Sequence, residues 1–297
     1  NLQYDNFMTC ESQGHFNNTT NHLEPILSDN VLNQTIGTHM TTLTLASWNV
    51  NSLKVRLPQV LNYMANNDVD VLCLQETKMT DEVFPLQAFL DAGLHVSFTG
   101  QKTYNGVAII SRTPQTDIQK NLPNFDDPQQ RLISATIAGV RVICAYIVNG
   151  QALDSDKFVY KMNWLAALLS YLESEMAEHE QLALLGDFNI APEDRDVHNP
   201  EKWVGCNLVS PQERAAFQDM QNLGLVDSFR LFDQADKSYS WWDYRQMGFR
   251  RNAGLRIDFV MLSKALASKC TRSVIDKEPR RHEQPSDHTP VLATVEI

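Results

Sequence analysis

Apolar and polar positions along the chain recur with two periods, and the changes between them mark out the elements. Leu43-Thr44-Leu45-Ala46-Ser47-Trp48 alternates with period two, as a strand does. Leu57, Val60, Leu61 and Met64 recur at helical spacing and predict a helix over 57–66, with Pro58 tolerated in its first turn. Short, nearly continuous apolar runs at 69–74, 106–111, 132–138, 140–148, 182–185, 255–262 and 291–295 read as buried strands, the pair at 132–148 joined through Gly139. Between 156 and 178, Phe158, Met162, Leu165, Leu169, Leu172 and Met176 form one stripe, which predicts the longest helix and marks its core face. Ser210-Pro211-Gln212-Glu213 spells a capping box with proline at the first helical position; that helix carries Phe217, Met220 and Leu223 and stops at Gly224. The stretch 194–209 reads as a long loop.

Strands and helices alternate loosely, and several strands follow one another directly. That order favours two mixed sheets packed face to face with helices outside, an α/β (α+β) four-layer sandwich, over one doubly wound sheet. No repeat or low-complexity linker divides residues 40–297, so one domain is expected there. Residues 1–39 are rich in Asn and Thr and lack apolar periodicity. Gly37-Thr38-His39 ahead of Met40 reads as an added leader, and the segment is expected to be disordered and apart from the fold.

Composition narrows the class. The chain has 43% hydrophobic and 21% charged residues, as globular domains do, and no apolar run long enough to span a bilayer. Its five cysteines (Cys10, Cys73, Cys144, Cys206, Cys270) are odd in number and lack a C-x-x-C pair, which argues against a zinc site and a disulfide framework and for a reducing compartment. The net charge of −11 counts mildly against nucleic acid, but residues 1–39 supply four carboxylates and no Lys or Arg, which leaves −7 for the body.

Candidate chemistry gathers just beyond the apolar runs. The first strand ends in Trp48-Asn49-Val50-Asn51, the 69–74 run in Gln75-Glu76, and Tyr146 stands near the end of the 140–148 run before Asn149. Gly186-Asp187-Phe188-Asn189 follows a buried strand; the glycine is expected to turn the backbone, and residues i and i+2 of a strand would project Asp187 and Asn189 together. Asp258 lies inside an apolar run, and Ser286-Asp287-His288 precedes the last strand. Taken singly each can be a packing feature: Asp258 a satisfied core acid, His288 a packed imidazole, Gly186-Asp187 a structural turn. Six such strand ends on one rim would have a shared chemistry. Carboxylates with carboxamides and no Cys/His cluster suit Mg²⁺, with Mn²⁺ as a substitute. A histidine oriented by a buried aspartate suits oxyanion stabilisation or proton transfer. Together they imply metal-assisted hydrolysis of a phosphate ester. P-loop, G-x-G-x-x-G and G-x-S-x-G patterns are absent from the sequence, so nucleotide-cofactor and serine-hydrolase readings have no support. Residues 239–245 and 248–255 interleave aromatics with Arg245, Arg250 and Arg251, the composition of a surface that stacks bases or sugars and tracks phosphates.

The motifs SWNVNSL, LQETK, NGVAI, GDFNIAP, GLRIDFVMLS and PSDHTPV, in this order over 42–297, resemble the exonuclease III branch of the endonuclease/exonuclease/phosphatase superfamily, bacterial abasic-site endonucleases of base-excision repair. The resemblance implies a DNase I-like four-layer sandwich with its active site at one rim. It implies Glu76 as metal ligand, with Asn49 and Asp287 nearby and Asp187, Asn189 and His288 also in reach of the metal. Asp187 would position or deprotonate the attacking water, Asn189 would hold phosphate and water, and His288, oriented by Asp258, would stabilise the phosphate. Tyr146 would match the active-site tyrosine, Asn149 a phosphate contact, and Lys78 a neighbour of phosphate and glutamate. Trp241, Leu255 and Ile257 would line a pocket for the flipped-out abasic sugar, beside Arg245 and Arg250. The implied substrate is double-stranded DNA with abasic sites or damaged 3′ ends, cleaved by a cytoplasmic monomer with no membrane partner. Two features depart from the pattern: Asn51 stands where some relatives have Asp, and proline is missing after the tyrosine in AYIVNGQ. A phosphoinositide or sphingolipid phosphoesterase of the same fold and a catalytically silent DNA-binding relative are the alternatives. The arginine–tryptophan stretch speaks against the first, and the intact set Glu76, Asp187, Asn189, Asp258 and His288 against the second.

Overall fold

The computed structural model describes residues 41–297, and the expectation for residues 1–39 lies outside them. The chain runs β1 (Thr42–Asn49), α1 (Leu53–Asn66), β2 (Val71–Gln75), α2 (Leu86–Asp91), β3 (His95–Thr99), β4 (Val107–Ser111), β5 (Thr116–Lys120), β6 (Leu132–Ile137), β7 (Val140–Tyr146) and α3 (Asp156–Glu178). It continues through β8 (Leu182–Asp187), α4 (Pro211–Asn222), β9 (Leu225–Asp227), β10 (Trp241–Trp242), β11 (Gly254–Leu255), β12 (Asp258–Ser263), α5 (Lys264–Ala267), β13 (Cys270–Ile275) and β14 (Val291–Glu296).

Two six-stranded sheets result, ordered β13-β14-β1-β2-β4-β3 and β5-β6-β7-β8-β12-β9, with β10 and β11 as a separate ribbon. Each large sheet contains one parallel pair, β1 with β2 and β7 with β8; the other pairings are antiparallel. A parallel pair needs a crossover, and α1 and α3 supply the two. The crossovers leave both parallel pairs ending at polar stretches, Asn49 beside Gln75 and Tyr146 beside Asp187. Ligands settle outside the carboxyl ends of such strands, where the loops diverge.

The sheets face each other across a core built from Leu45, Val71 and Ile109 on one side and Ile133, Val142, Leu185 and Val260 on the other. Ala46, Trp48, Leu72 and Leu74 face the opposite way and pack with Val60 and Met64 of α1. Ile143, Leu184 and Phe259 pack outward against Leu165 and Leu168 of α3 and Phe217 of α4. Central strands are thus covered on both faces, which is why they read as continuous apolar runs. Truncating one of the buried leucines or isoleucines to alanine would cost about 2–5 kcal/mol. This is the four-layer arrangement expected from the order of elements.

Local departures have physical causes. Helix α1 begins at Leu53, so Pro58 lies inside the helix rather than in its first turn. Leu53 is fully buried, and that burial offsets part of the cost of the hydrogen bond Pro58 cannot make. The expected strand at 255–262 breaks at Arg256, whose guanidinium turns inward to Asp196 and Asp227, each at 2.7 Å. Helix α3 has the expected bounds, but its buried face is turned from the predicted stripe. It comprises Phe158, Lys161, Trp164, Leu165, Leu168, Tyr171 and Leu172, a lysine among them, with Met162, Leu169 and Met176 half-buried at its margins. Strands β3, β5, β9 and β13 were not anticipated, and all four are sheet edges. The capping box of α4 forms as the sequence spells it, with the Glu213 side chain accepting from the Ser210 backbone at 3.0 Å.

Candidate active site

Strand β8 does not turn at Gly186. A Cβ there would lie 1.8 Å from the Ala145 carbonyl oxygen, so glycine is required by the close approach of β7, and the strand runs on through Asp187. The turn comes two residues later, where Asn189 adopts a left-handed conformation (φ 49°). Asp187 and Asn189 are therefore brought together by a turn and not by strand alternation: the Asn189 N–H donates to Asp187 Oδ1 at 2.9 Å. Phe188 between them is buried beneath the site.

Around Asp187 the two sheets contribute in turn. Asp258 pairs in register with Asp187 across β8 and β12. The Ser240 hydroxyl accepts from the Ile257 and Asp258 N–H groups, both at 3.1 Å, and fixes the start of β12. His288 Nδ1 bonds Asp258 at 2.9 and 3.0 Å, which leaves Nε2 facing Asp187 Oδ2 at 3.7 Å. Its backbone is set by a bridge to Trp241 and by the Thr289 N–H donating to the Ser240 carbonyl at 2.8 Å.

From the other sheet, Asn49 Nδ2 donates to both Glu76 Oε1 (2.8 Å) and Asp187 Oδ2 (2.9 Å), while its Oδ1 accepts from the Asn51 N–H (2.9 Å). Asn49 thus presents its nitrogen to the two carboxylates and bridges them, beside the expected metal ligand Glu76. Tyr146 donates to Glu76 Oε1 at 2.9 Å, and Lys78 Nζ lies 2.7 Å from Glu76 Oε2. Asn51 donates to Asp287 Oδ1 at 2.9 Å and accepts from Lys78. The second Asp287 oxygen accepts from Trp241 Nε1 at 3.0 Å, so both of its oxygens are engaged. Asn149 is exposed, and its Nδ2 reaches Asn189 Oδ1 at 2.8 Å.

Asn51, Glu76, Lys78 and Asn189 all have positive φ. Non-glycine residues held there cost roughly 1–2 kcal/mol each, and such strain clusters where the surroundings over-determine the backbone.

The electrostatics follow from burial and proximity. Burial pushes the Asp187 carboxyl up to about 7, opposed by His288 and reinforced by Asp258 and Glu76. Burial alone would lower the His288 imidazole, but Asp258 and Asp187 raise it to about 10. Burial would raise Glu76, yet Lys78 and the Asn49 bond hold it below the usual carboxylate range. One ligand atom from each of Glu76, Asp187 and His288 lies within 4.8 Å of the other two. Two carboxylates and one imidazole, with room for further oxygens, can hold a divalent metal ion.

Beside this centre is a cleft of about 430 Å³ lined by Trp241, Arg245, Arg251 and Leu255 and, from the loop after β8, by His198, Lys202 and Trp203. Trp241 is half-buried there, whereas Trp242 is fully buried, edge-on to Phe249. Arg245 is tied to Asp243 at 2.6 Å. Arg250 is exposed on the same loop but outside the lining, because the 247–251 turn (Arg251 N–H to Met247 O, 3.1 Å) brings Arg251 round in its place. Ile257 is buried behind the cleft with Leu255. A second hollow of about 610 Å³, lined by Tyr104, Arg131, Tyr146, Asn149 and Lys157, adjoins the β7 side. Trp241 of the first hollow pairs with His288 and Tyr146 of the second pairs with Asp187, so each hollow adjoins the centre. The sequence reading missed Ser240 and Lys161 and singled out the 194–205 loop, with His198, Lys202 and Trp203, without assigning it a role; Lys161, a lysine one turn from Phe158 and Leu165, left a signal in the helical pattern.

Comparison with known proteins agrees with this architecture. Exodeoxyribonuclease III of Haemophilus influenzae is 36% identical over 260 residues, 83% of this chain and 97% of that protein. A 3′ phosphatase from Neisseria, solved with a product DNA hairpin, superposes with TM-score 0.85 at 49% identity, covering 86% of this chain and all of the other. An AP endonuclease from Archaeoglobus fulgidus gives TM-score 0.83 at 36% identity over the same shares. The family match extends over residues 46–288, and so takes in Asn49, Glu76, Asp187, Asp258 and His288 alike: this chain belongs to the endonuclease/exonuclease/phosphatase family.

Proposed function

We propose that this chain is a DNA-repair phosphodiesterase that cleaves duplex DNA 5′ to abasic sites and removes nucleotides or blocking groups from 3′ ends, acting with Mg²⁺. The observation that carries the reading is the line Asp187–His288–Asp258, buried at the rim and closing on Glu76 beside an aromatic and basic cleft.

Glu76 and Asp187 would supply carboxylate oxygens for a divalent cation, with Asn49 holding the two carboxylates together and His288 Nε2 keeping its proton for the phosphate. When bound, the cation supplies Lewis-acid polarisation of the phosphate and offsets the charge that develops on it. Asp187, buried at the rim with one oxygen fixed by the Asn189 N–H, is placed to take a proton from the attacking water, a contribution of about 10²–10⁴-fold. Asn189 fixes one Asp187 oxygen through its N–H and leaves the other to face His288. His288, kept charged by Asp258, donates from Nε2 to a phosphate oxygen and stabilises its charge, the role of a preorganised donor in a water-poor site. Tyr146 and Lys78 hold Glu76 ionised and oriented. Trp241 and Leu255 offer an apolar wall to an extrahelical sugar, and extrusion is cheapest where the base is already lost. Arg251 and Lys202 track the backbone phosphates.

The test is a duplex carrying one abasic-site analogue, incubated with Mg²⁺ and with chelator. A nick 5′ to the lesion that requires the metal is expected; its absence would sink abasic-site cleavage. The 49% identity to a 3′ phosphatase, against 36% to the AP endonuclease, favours a second emphasis in which 3′-end cleaning is the faster activity. Parallel rates on a 3′-phosphate primer and on the internal lesion decide between them.

A further inference from the structure

Lys161 is the one lysine on the buried face of α3, and its side chain has no exposure; neither has that of Glu213 on α4, with which it pairs. The ammonium has three N–H donors, and each is used. One goes to Glu213 Oε1, one to the Asn189 carbonyl at 2.7 Å and one to the Asn149 carbonyl at 3.3 Å. Those carbonyls belong to the two residues whose carboxamides meet at the rim, Asn149 Nδ2 on Asn189 Oδ1 at 2.8 Å. Glu213 extends the same grip to the loop before α4. Its Oε1 accepts from the Leu208 N–H at 2.9 Å and its Oε2 from the Ser210 N–H at 3.0 Å, while Asn207 Nδ2 reaches the Asn149 carbonyl at 3.0 Å. Gly150, at φ +88°, lets the Asn149 turn lie against the lysine stem; a Cβ there would already be 3.0 Å from Lys161 Cδ.

A buried ion pair stabilises weakly against an apolar pair of the same volume, because desolvation offsets the attraction. A purely structural account would therefore predict packed hydrophobic residues here. The hydrogen bonds have a different purpose: two of the three ligands of Lys161 are the Asn149 and Asn189 carbonyls, and the third, Glu213 on α4, holds the loop that reaches Asn149 through Asn207.

We propose that the Lys161–Glu213 pair is a positioning device for the reaction, setting Asn149 and Asn189, and through the Asn189 N–H the Asp187 carboxylate, at the geometry that cleavage needs. This rests on the phosphodiesterase reading. Lys161 touches neither substrate nor metal, so its effect falls on kcat: displacement of catalytic groups by about 1 Å lowers the rate roughly 100-fold.

Three variants test it on the abasic duplex with Mg²⁺: Glu213→Gln, which keeps the shape, Lys161→Met/Glu213→Gln, which removes both charges so that neither is left buried alone, and Asn189→Ala. The double variant is expected to fold with a lowered melting temperature, because the buried Asn189 carbonyl loses its donor, while kcat measured well below that temperature falls about tenfold or more and KM changes less than about twofold. Asn189→Ala removes only the carboxamide and keeps the backbone N–H and carbonyl, so its kcat loss is expected to be smaller than that of the double variant. Recovery of kcat together with stability in the double variant, or a loss that falls on KM instead of kcat, would overturn the proposal and leave the pair as packing. If the double variant does not fold, Glu213→Gln decides alone by the same split between kcat and KM. Failure of the parent protein to cleave the duplex would instead count against the function proposed above, so the two failures are told apart.

Discussion

Asp187 has every oxygen spoken for: Oδ1 by the Asn189 N–H, Oδ2 by Asn49 and, at 3.7 Å, by His288. Replacing it by Asn keeps the shape and removes the base. Asp187→Asn should lower the abasic nicking rate by about 10²–10⁴-fold while leaving affinity for the uncleaved duplex within a few-fold, read by single-turnover kinetics beside equilibrium binding. Loss of both together would mean that Asp187 is a structural group. The same pair governs stability. His288 rises from 6.5 to about 10 and Asp187 from 3.8 to about 7, so each binds its proton more tightly in the folded state. Each contribution is complete below the unfolded value and is lost as pH climbs through the folded one. In chelator, the melting temperature should therefore fall between about pH 4 and 10, and His288→Gln should remove the part of the fall above pH 7; an unchanged slope in that variant would refute the assignment. At this scale much was legible. Asn49, Glu76, Asp187, Asp258 and His288 all stand where an apolar run stops or starts, and the structure brings them together. The orientation of Asn49, the engagement of both Asp287 oxygens and the choice of Arg251 over Arg250 depend on χ angles and loop winding, which no one-dimensional pattern records.

Strand β8 owes its place to one missing methyl group. Gly186 lies under the Ala145 carbonyl, and any side chain would push β7 and β8 apart where Tyr146 and Asp187 are registered. Gly186→Ala should destabilise by more than about 4 kcal/mol, in the class of severe core overpacking, as a denaturant midpoint would show. A variant within about 1 kcal/mol of the parent would mean that the sheet yields easily there. The sequence marked this glycine but suggested a turn, since turn and close approach share the same residue and only the neighbouring strand distinguishes them. The wall formed by residues 194–205 was opaque for a related reason. Asp196 is buried between Arg230 and Arg256, and those partners are 34 and 60 positions away.

Across the whole molecule, the central strands announced themselves and the edges did not. Strands such as β2 and β4 are covered on both faces and read as unbroken apolar runs, whereas β5 has the sequence TDIQK and is almost wholly exposed. Edge strands carry polar residues that discourage pairing with other chains, and that erases their signal. Charge behaves in a similar way. The chain is acidic overall at −11, yet Lys202 and Arg251 line the cleft beside the carboxylates. If they meet phosphates, Lys202→Ala/Arg251→Ala should reduce the slope of log affinity against log salt by nearly two for duplex DNA, about 0.9 per lost contact. An unchanged slope would place the DNA elsewhere.

The order in which strands join the two sheets has a consequence for biosynthesis. Strand β1 sits in the middle of its sheet and is paired on one side by β14, so Thr42 waits for Glu296, and the Ser286 hydroxyl closes on the Asn49 carbonyl across 237 positions. On a ribosome the second sheet can be complete from β5 to β12 while β1 still presents a bare edge and half a core. Such long-range closure makes folding slow and leaves an adhesive intermediate. Because the closing segment also delivers Asp287 and His288, nuclease chemistry is withheld until the sandwich is shut. A nascent chain stalled before β14 should be inert toward DNA and bound by chaperones.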